Sequence, residues 1–350
     1  MQRPAVEEFV TDPQHDRFEE LALDCFAYQY HRIEALRDWC DRGRRTPASV
    51  TRWSDIPAVP TRAFRSLALH TEPARIVFRS SGTTGGLERS EHHHPFPDLY
   101  RLVIERSFPT FCLAEHPQLP MLSLIPPLAQ VPDSSLSFMI DHVLGRFGTE
   151  ASVVAVGPGG VELPRVRSWL GARQRAGGPC LVLATSVSLH QCLQGLERLG
   201  LRFRLPPGSA VFETGGTKTL SDEIDPALLH RRLAERLGVG PGRIVTEYGM
   251  TELTSQAYGG ALVGADPRRL LCPPWMRVRI VDPESLEEVS AGELGLVAVL
   301  DLANVGSAVH VLTEDLGRRD GAGFRLEGRA RGAALRGCSL TADELARRDR

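Results

Sequence analysis

The sequence predicts an α/β protein, with a mostly parallel sheet flanked by helices and a small antiparallel β lobe after it. Three observations carry this expectation. Short apolar runs alternate with amphipathic ones between "ARIVF" and "GRIVTEYG", the rhythm of a parallel sheet buried between helices. Polar, glycine-bearing segments follow three of the strand-like runs, where ligands of open α/β sheets gather beyond the carboxyl ends of strands. After residue 270 the texture becomes short strands and tight turns.

Taken in order, "DRFEELALDCFAYQYHRIEALRDWCDR" has helical periodicity through Phe18, Leu21, Phe26, Ile33 and Leu36. "IPAVPTRAFRSL" is an extended, proline-punctuated link. "ARIVF" is a strand that feeds "SSGTTGG", and "PDLYRLVIERSFPTF" starts a helix with Pro97 near its first turn. Strand and helix then alternate: "MLSLI", "SSLSFMIDHVLGRF", "ASVVAV", "ELPRVRSWLGARQRAG", "PCLVLAT", and "SVSLHQCLQGLERLG" capped by Ser186 or Ser188. "SAVFETGG", "SDEIDPALLHRRLAERLGV" and "GRIVTEYG" continue the series as strand, helix and strand. "RVRIVDPESLEEVSAGELGLVAVLDL" and "VHVLTEDLGRRDGAGFRLEGRARG" supply the antiparallel lobe. The expected divisions are a helical region over 1–54, an α/β core over 55–268, the β lobe over 269–328 and a short tail over 329–350.

Composition limits the function classes. With 350 residues and 42% hydrophobic content there is material for a large buried core, and 24% charged is ordinary for a globular chain. A formal charge of −2 gives no overall pull toward nucleic acid. No apolar run reaches membrane-span length and "MQRPAVEEFVTDPQHDRFEE" has no apolar leader, so a cytoplasmic protein is expected. Seven scattered cysteines without a CxxC pair argue against a disulfide framework and against zinc. Of 41 basic residues only Lys218 is lysine.

Three loops carry the chemistry. In "SSGTTGG", Gly82, Gly85 and Gly86 permit close backbone approach, while Ser80, Ser81, Thr83 and Thr84 offer hydroxyls. That combination suits phosphate oxygens or a plain turn, and no GK[ST] follows to make it a Walker loop. In "VTEYGMTE", Tyr248 offers a flat ring, Gly249 a turn, Thr251 a hydroxyl and Glu252 a hard oxygen for Mg²⁺. "LTEDLG" puts Asp315 on a turn after a strand, where a carboxylate accepts both hydroxyls of a ribose or simply stabilises the turn.

Together and in this order, "SSGTTGG", "ETGGTKT", "EYGMTE", "TEDLG" and "EGR" resemble the adenylate-forming (acyl-CoA ligase-like) superfamily over roughly residues 55–345. "IPAVPTRAFRSL", "YGMTELTSQAY" and "LRGCSL" are similar to its LuxE-type acyl-protein synthetases. The resemblance implies the N-terminal domain fold of that superfamily, with the usual large C-terminal domain reduced to a short tail. It implies ATP and Mg²⁺ as cofactors and activation of a carboxylic acid, of the fatty-acid class, to acyl-AMP. The acyl group would then pass to a cysteine of the chain and on to a partner acyl reductase or another acyl-accepting protein.

Residue by residue, Ser80 to Gly86 would hold the triphosphate. Gly215 and Gly216 would border the adenine, with Tyr248 stacked on it. Thr251 would contact the α-phosphate, Glu252 would hold Mg²⁺, and Asp315 would grip the ribose with Arg329 assisting. Where the superfamily loop continues to a lysine, "GGLERS" has Arg89. The lysine of the missing domain is also expected to be absent, and Lys218 beside Gly216 is the candidate to offset charge on the leaving pyrophosphate. Cys338 in "LRGCSL", flanked by Arg336, is the candidate acyl-accepting thiol.

Phe138, Met139 and His142 are candidates for the acyl pocket, although core packing explains the first two equally well. His92, His93 and His94 read as a polar entrance strip rather than a metal site. Two other functions fit parts of the pattern: adenylation with transfer to CoA or a carrier-protein thiol, and a non-catalytic nucleotide-binding subunit. Cys338→Ser separates the first from self-acylation; acid-dependent pyrophosphate exchange excludes the second.

Overall fold

The computed structural model describes residues 2–80, 89–215, 224–330 and 345. Lys218, Cys338, Gly216 and Ser81 to Gly86 lie outside them. In chain order the elements begin with helices α1 (Gln2–Thr11), α2 (Phe18–Tyr30) and α3 (Glu34–Arg42) and strands β1 (Val59–Pro60), β2 (Ile76–Arg79) and β3 (Glu91–His94). Next come α4 (Pro97–Cys112), β4 (Met121–Ser123), α5 (Ser135–Phe147), β5 (Val153–Val154), β6 (Val156–Gly157), β7 (Gly160–Val161) and α6 (Leu163–Ala176). They are followed by β8 (Leu181–Thr185), α7 (Ser186–Arg198), β9 (Ala210–Thr214), α8 (Pro226–Leu237) and β10 (Ile244–Tyr248). The series closes with β11 (Ala257–Gly259), β12 (Leu270–Leu271), β13 (Met276–Val281), β14 (Gly295–Asp301), β15 (His310–Asp320) and β16 (Gly323–Arg329).

The chain divides into two compact units, one of residues 1–106, 250–256 and 271–350, the other of 107–249 and 257–270. In the second unit β10, β9, β8, β4 and β5 lie side by side in that order, all parallel, and β11 joins β10 antiparallel. Helices α6 to α8 bury their apolar sides on one face through Trp169, Leu189, Leu193 and Leu233, against Val182, Val211 and Ile244. Phe108 of α4 meets both Phe147 of α5, at 6.0 Å, and Phe212 of β9, at 5.9 Å, so aromatic packing covers the opposite face. This is the α/β architecture the alternating pattern implied.

In the first unit β13, β14, β15 and β16 form an antiparallel sheet. β1 pairs parallel with β15 through Val59 and Val311, so the proline-punctuated link contributes a short strand. Two local expectations change. The segment over 18–42 is two helices, because Ile33 is extended (φ −102, ψ 100) and starts α3 afresh. α7 is capped by Thr185 rather than Ser186 or Ser188: the Thr185 hydroxyl accepts the Ser188 N–H while the Ser188 hydroxyl accepts the Thr185 N–H, a reciprocal capping box.

Candidate active site

The strand that leads to "SSGTTGG", β2, is one arm of a β-hairpin with β3. β2 and β3 pair antiparallel from Ile76 with His94 to Arg79 with Glu91. Ser80 N–H donates to the Ser90 carbonyl at 3.0 Å, and Ser90 N–H donates to the Ser80 hydroxyl at 3.0 Å. Arg89 donates to the carbonyls of Ser80 and Arg79. Ser80 and Arg89 therefore tie the ends of β2 and β3 together. β3 escaped the sequence reading because three consecutive histidines do not look like a strand.

β3 also corrects the reading of its histidines. Strand alternation sends His92 and His94 inward, 1% and 3% exposed, and leaves His93 on the other side with Glu91 and His70. His92 Nδ1 donates to the Thr251 carbonyl at 2.8 Å. His94 accepts the Phe96 N–H on Nδ1 at 3.2 Å, which leaves Nε2–H to donate to the Thr254 hydroxyl at 3.0 Å. Thr254 donates to Asn304 Oδ1 at 2.5 Å, and Asn304 Nδ2 donates to the Glu252 carbonyl at 2.8 Å. Burial pushes His92 down to about 4 and His94 well below the ordinary histidine value, so both act as neutral rings.

Asp301, at the end of β14, completes this scaffold. Its carboxylate accepts the N–H groups of Thr254, Ser255 and Ala303 at 3.0, 2.8 and 3.0 Å, and the Ser255 hydroxyl at 2.7 Å. Trp275 Nε1 adds a 3.0 Å bond to the same hydroxyl. Burial raises the Asp301 carboxyl to about 6, and the hydrogen bonds from Ser255, Thr254 and Ala303 pull the other way. The irregular segment Met250–Gln256 thus has its backbone held by side chains from β3, β14 and the turn after β14. Thr251 and Glu252, both buried, sit within it. One carboxylate beside one hydroxyl suits Mg²⁺, which takes one or two protein carboxylates and fills its other positions with phosphate and water oxygens.

Asp315 is not on a turn. It lies inside the eleven-residue β15, opposite Arg329 of β16, and Arg329 Nε donates to its Oδ1 at 3.3 Å. The turn-like "TEDLG" stays extended because β15 is paired on both sides, and the ladder absorbs the misfit as a register shift between Leu316 and Gly317. A Cβ at Gly317 would come within 2.8 Å of the Arg325 carbonyl, so glycine permits this close pairing. Asp315 and Arg329 are therefore brought together.

In the second unit the strand ends carry Thr185, Thr214, Gly215 and Tyr248. Gly215 turns out of β9 at φ +87, which glycine allows without strain. Register places Glu247 opposite Thr214, and the Thr214 hydroxyl donates to its carboxylate. Burial raises the Glu247 carboxyl to about 7 although that hydrogen bond lowers it. On the opposite face Glu213 accepts the Ser186 hydroxyl at 2.7 Å and pairs with His230 Nε2 at 3.0 Å. Phe138 and Met139 are buried on α5 and His142 is half-buried there.

Sequence reasoning missed Asp301, Asn304 and Glu247, which lie in apolar or turn-like surroundings with partners far along the chain. The sole local hint was a charged residue within "VAVLDL" and within "RIVTEY". Among the described residues no cluster of three histidine, cysteine or acidic side chains forms a metal site, and no helix is long and apolar enough to cross a membrane.

Residues 176–346 match the model of the acyl-protein synthetase family, LuxE. Over that stretch the chain is similar to the acyl-protein synthetases. Its relatives include a long-chain-fatty-acid–luciferin-component ligase of Aliivibrio fischeri, 23% identical over 329 residues that span 88% of this chain and 82% of that one. Among solved structures, 2-hydroxyisobutyryl-CoA ligase in an open conformation superposes with a TM-score of 0.64 at 14% identity, covering 91% of this chain and 78% of that one. The same ligase in its thioesterification state gives 0.64 at 16% identity, covering 91% and 68%. The chain shares the fold of these ligases.

Proposed function

We propose that this acyl-protein synthetase relative activates a carboxylic acid, of the fatty-acid class, with ATP and then loads it onto its own Cys338. In the first step a carboxylate oxygen attacks the α-phosphorus, the P–O bond to pyrophosphate breaks, and acyl-AMP forms. In the second the Cys338 thiolate attacks the acyl carbonyl, AMP leaves with the bonding electrons, and the thiol proton passes to solvent. A partner acyl reductase or another acyl-accepting protein takes the thioester onward.

The observation that carries the reading is the buried polar scaffold of Met250–Gln256. Three neutral or carboxylate side chains, His92, His94 and Asp301, together with Asn304, are committed to holding the backbone that bears Thr251 and Glu252. A network of this kind costs stability unless fully satisfied, and it suits a segment that must meet charge without reorganising. In this reading Thr251 orients the α-phosphate and Glu252 holds Mg²⁺, which when bound neutralises phosphate charge. Asp315 with Arg329 holds the ribose, Tyr248 and Gly215 border the base, and Ser80 to Gly85 cradle the phosphates. Phe138, Met139 and His142 contact the acid, and Lys218 stabilises the departing pyrophosphate.

The cysteines support the second step by elimination. Cys25, Cys40, Cys112, Cys180 and Cys192 are buried and Cys272 is half-buried, and burial raises the thiol of each, to about 12 for Cys40, Cys192 and Cys272. None of these six is a thiolate nucleophile near neutral pH. Acid-dependent ATP–pyrophosphate exchange tests the first step, and its absence across fatty and aryl acids would sink the reading. A hydroxylamine-labile acyl adduct, seen by intact mass and lost in Cys338→Ser, tests the second. An adduct that persists in that variant assigns the acceptor elsewhere.

A further inference from the structure

The second unit carries a strongly basic surface that the reaction does not use. Residues 164–204 contain seven arginines against one acidic residue, Glu197, in a chain whose formal charge is −2. The segment over 198–204, "RLGLRFR", lies between two helices. Arg204 N–H donates to Gln174 Oε1 of α6 at 2.7 Å, Phe203 N–H to the Arg236 carbonyl of α8 at 2.7 Å, and Arg236 Nη1 to the Leu201 carbonyl at 3.4 Å. Glu197 is already shared by Arg232 and Arg236, at 3.6 and 3.7 Å. Arg167, Arg175, Arg198, Arg202, Arg204 and Arg231 stay exposed, without an acidic partner among the described residues. Leu199, 56% exposed, stands among them.

This surface lies where α6, α7 and α8 end and lead into β8, β9 and β10. It is therefore at the amino ends of those strands, opposite Gly215 and Tyr248 at their carboxyl ends.

The complement is on the first unit. The β13–β14 connection, residues 282–294, holds five acidic residues and no basic one. It is an ordered projection. The Asp282 carboxylate accepts the N–H groups of Glu284 and Ser285 at 2.9 Å each, Leu286 N–H donates to the Asp282 carbonyl at 2.9 Å, and Val289 N–H donates to the Ile280 carbonyl at 2.9 Å. Glu284, Glu287 and Glu293 are exposed, and Leu294 is 43% exposed at its base. Leu199 and Leu294 are two of the four exposed large hydrophobics among the described residues, one beside each charge cluster.

We propose that the basic surface around Arg198–Arg204 docks on the acidic β13–β14 connection of a second copy of this chain. Exposed ion pairs are individually weak, so the contact needs several at once and an apolar anchor, which Leu199 and Leu294 supply. An exposed leucine among the arginines is the apolar centre with a charged rim that a protein interface uses.

Sedimentation velocity on the full chain at low and high salt tests this. The expected result is a concentration-dependent dimer that weakens with salt. The dimer should dissociate at least ~10-fold more readily in Arg198→Glu/Arg202→Glu/Arg204→Glu and in Glu284→Arg/Glu287→Arg, with unchanged circular dichroism and pyrophosphate exchange. Mixing the two variants should restore a heterodimer through the swapped charges. A wild-type chain that stays monomeric at low salt overturns the proposal, as does a dimer indifferent to both charge reversals. Binding of a short DNA duplex by a monomeric wild type also overturns it and assigns the patch to nucleic acid.

Discussion

The Met250–Gln256 segment and the ends of β9 and β10 place buried polar groups in opposite ways. In the first, each named group has its partners: Asp301 receives four hydrogen bonds, and His94, Thr254 and Asn304 pass donors along one chain. In the second, Glu247 is buried with the Thr214 hydroxyl as its lowering influence, and its carboxyl holds a proton to about pH 7. Burial raises both carboxyls, Asp301 to about 6 and Glu247 to about 7, but only Asp301 has the donors with which a carboxylate organises a backbone. The two regions should therefore respond differently to mutation.

The largest effect is expected at Asp301. Asp301→Ala leaves three buried N–H groups and a hydroxyl without their acceptor and should cost about 4 kcal/mol, read from urea denaturation. Asp301→Asn keeps one oxygen and should cost less. A small loss in the alanine variant would mean the segment is held by other contacts.

Glu247 should reveal itself through pH. Its folded-state value of about 7 lies above the ordinary 4.5, so between those values the unfolded chain has lost a proton that the native chain keeps. Its stability contribution is full below 4.5 and disappears as pH rises to 7, on the order of 3 kcal/mol in all. Glu247→Gln should remove this slope. His92 acts with the opposite sign: its value of about 4 lies below the ordinary 6.5, so its contribution is lost as pH falls from 6.5 to 4. Subtracting the variant profile from wild type isolates the carboxyl, and identical profiles would show that it does not titrate there.

β3 gives a sharper internal control. His94→Ala breaks the chain to Thr254 and Asn304 and should cost about 2 kcal/mol, while His93→Ala, half-buried on the other side of β3, should cost under about 1 kcal/mol. Equal effects would contradict the alternation of inward and outward rings. The smallest stability change belongs to Arg329→Gln, because its pair with Asp315 is partly solvated and worth under about 1 kcal/mol. Under the proposed function its consequence is a raised KM for ATP in pyrophosphate exchange, with kcat nearly kept.

Much of the frame was legible along the chain. The parallel strands β8, β9 and β10 and helices α6 to α8 follow from runs of five to fourteen residues whose periodicity is a local property. Asp315 shows where local reasoning ends. "TEDLG" has turn chemistry, yet two neighbouring strands stabilise it as extended. Thr185 was overlooked as a cap because serines followed it, although reciprocal bonding to Ser188 favours the earlier position. The histidine run offered no apolar pattern, and only pairing with β2 defined which rings face inward.

By itself the sequence determined the α/β rhythm, the order of the glycine- and hydroxyl-rich segments, and the residue types available for phosphate, ribose and Mg²⁺. Those are properties of short stretches, set by side-chain periodicity and backbone freedom. Only tertiary structure decided that His94 meets Thr254 across 160 positions, that Asp301 organises Thr254 and Ser255, and that Asp315 faces Arg329 from the middle of a strand. The reason is physical: a buried polar group is stable only with its hydrogen-bond partners in place, and those partners come from distant segments that folding alone brings together.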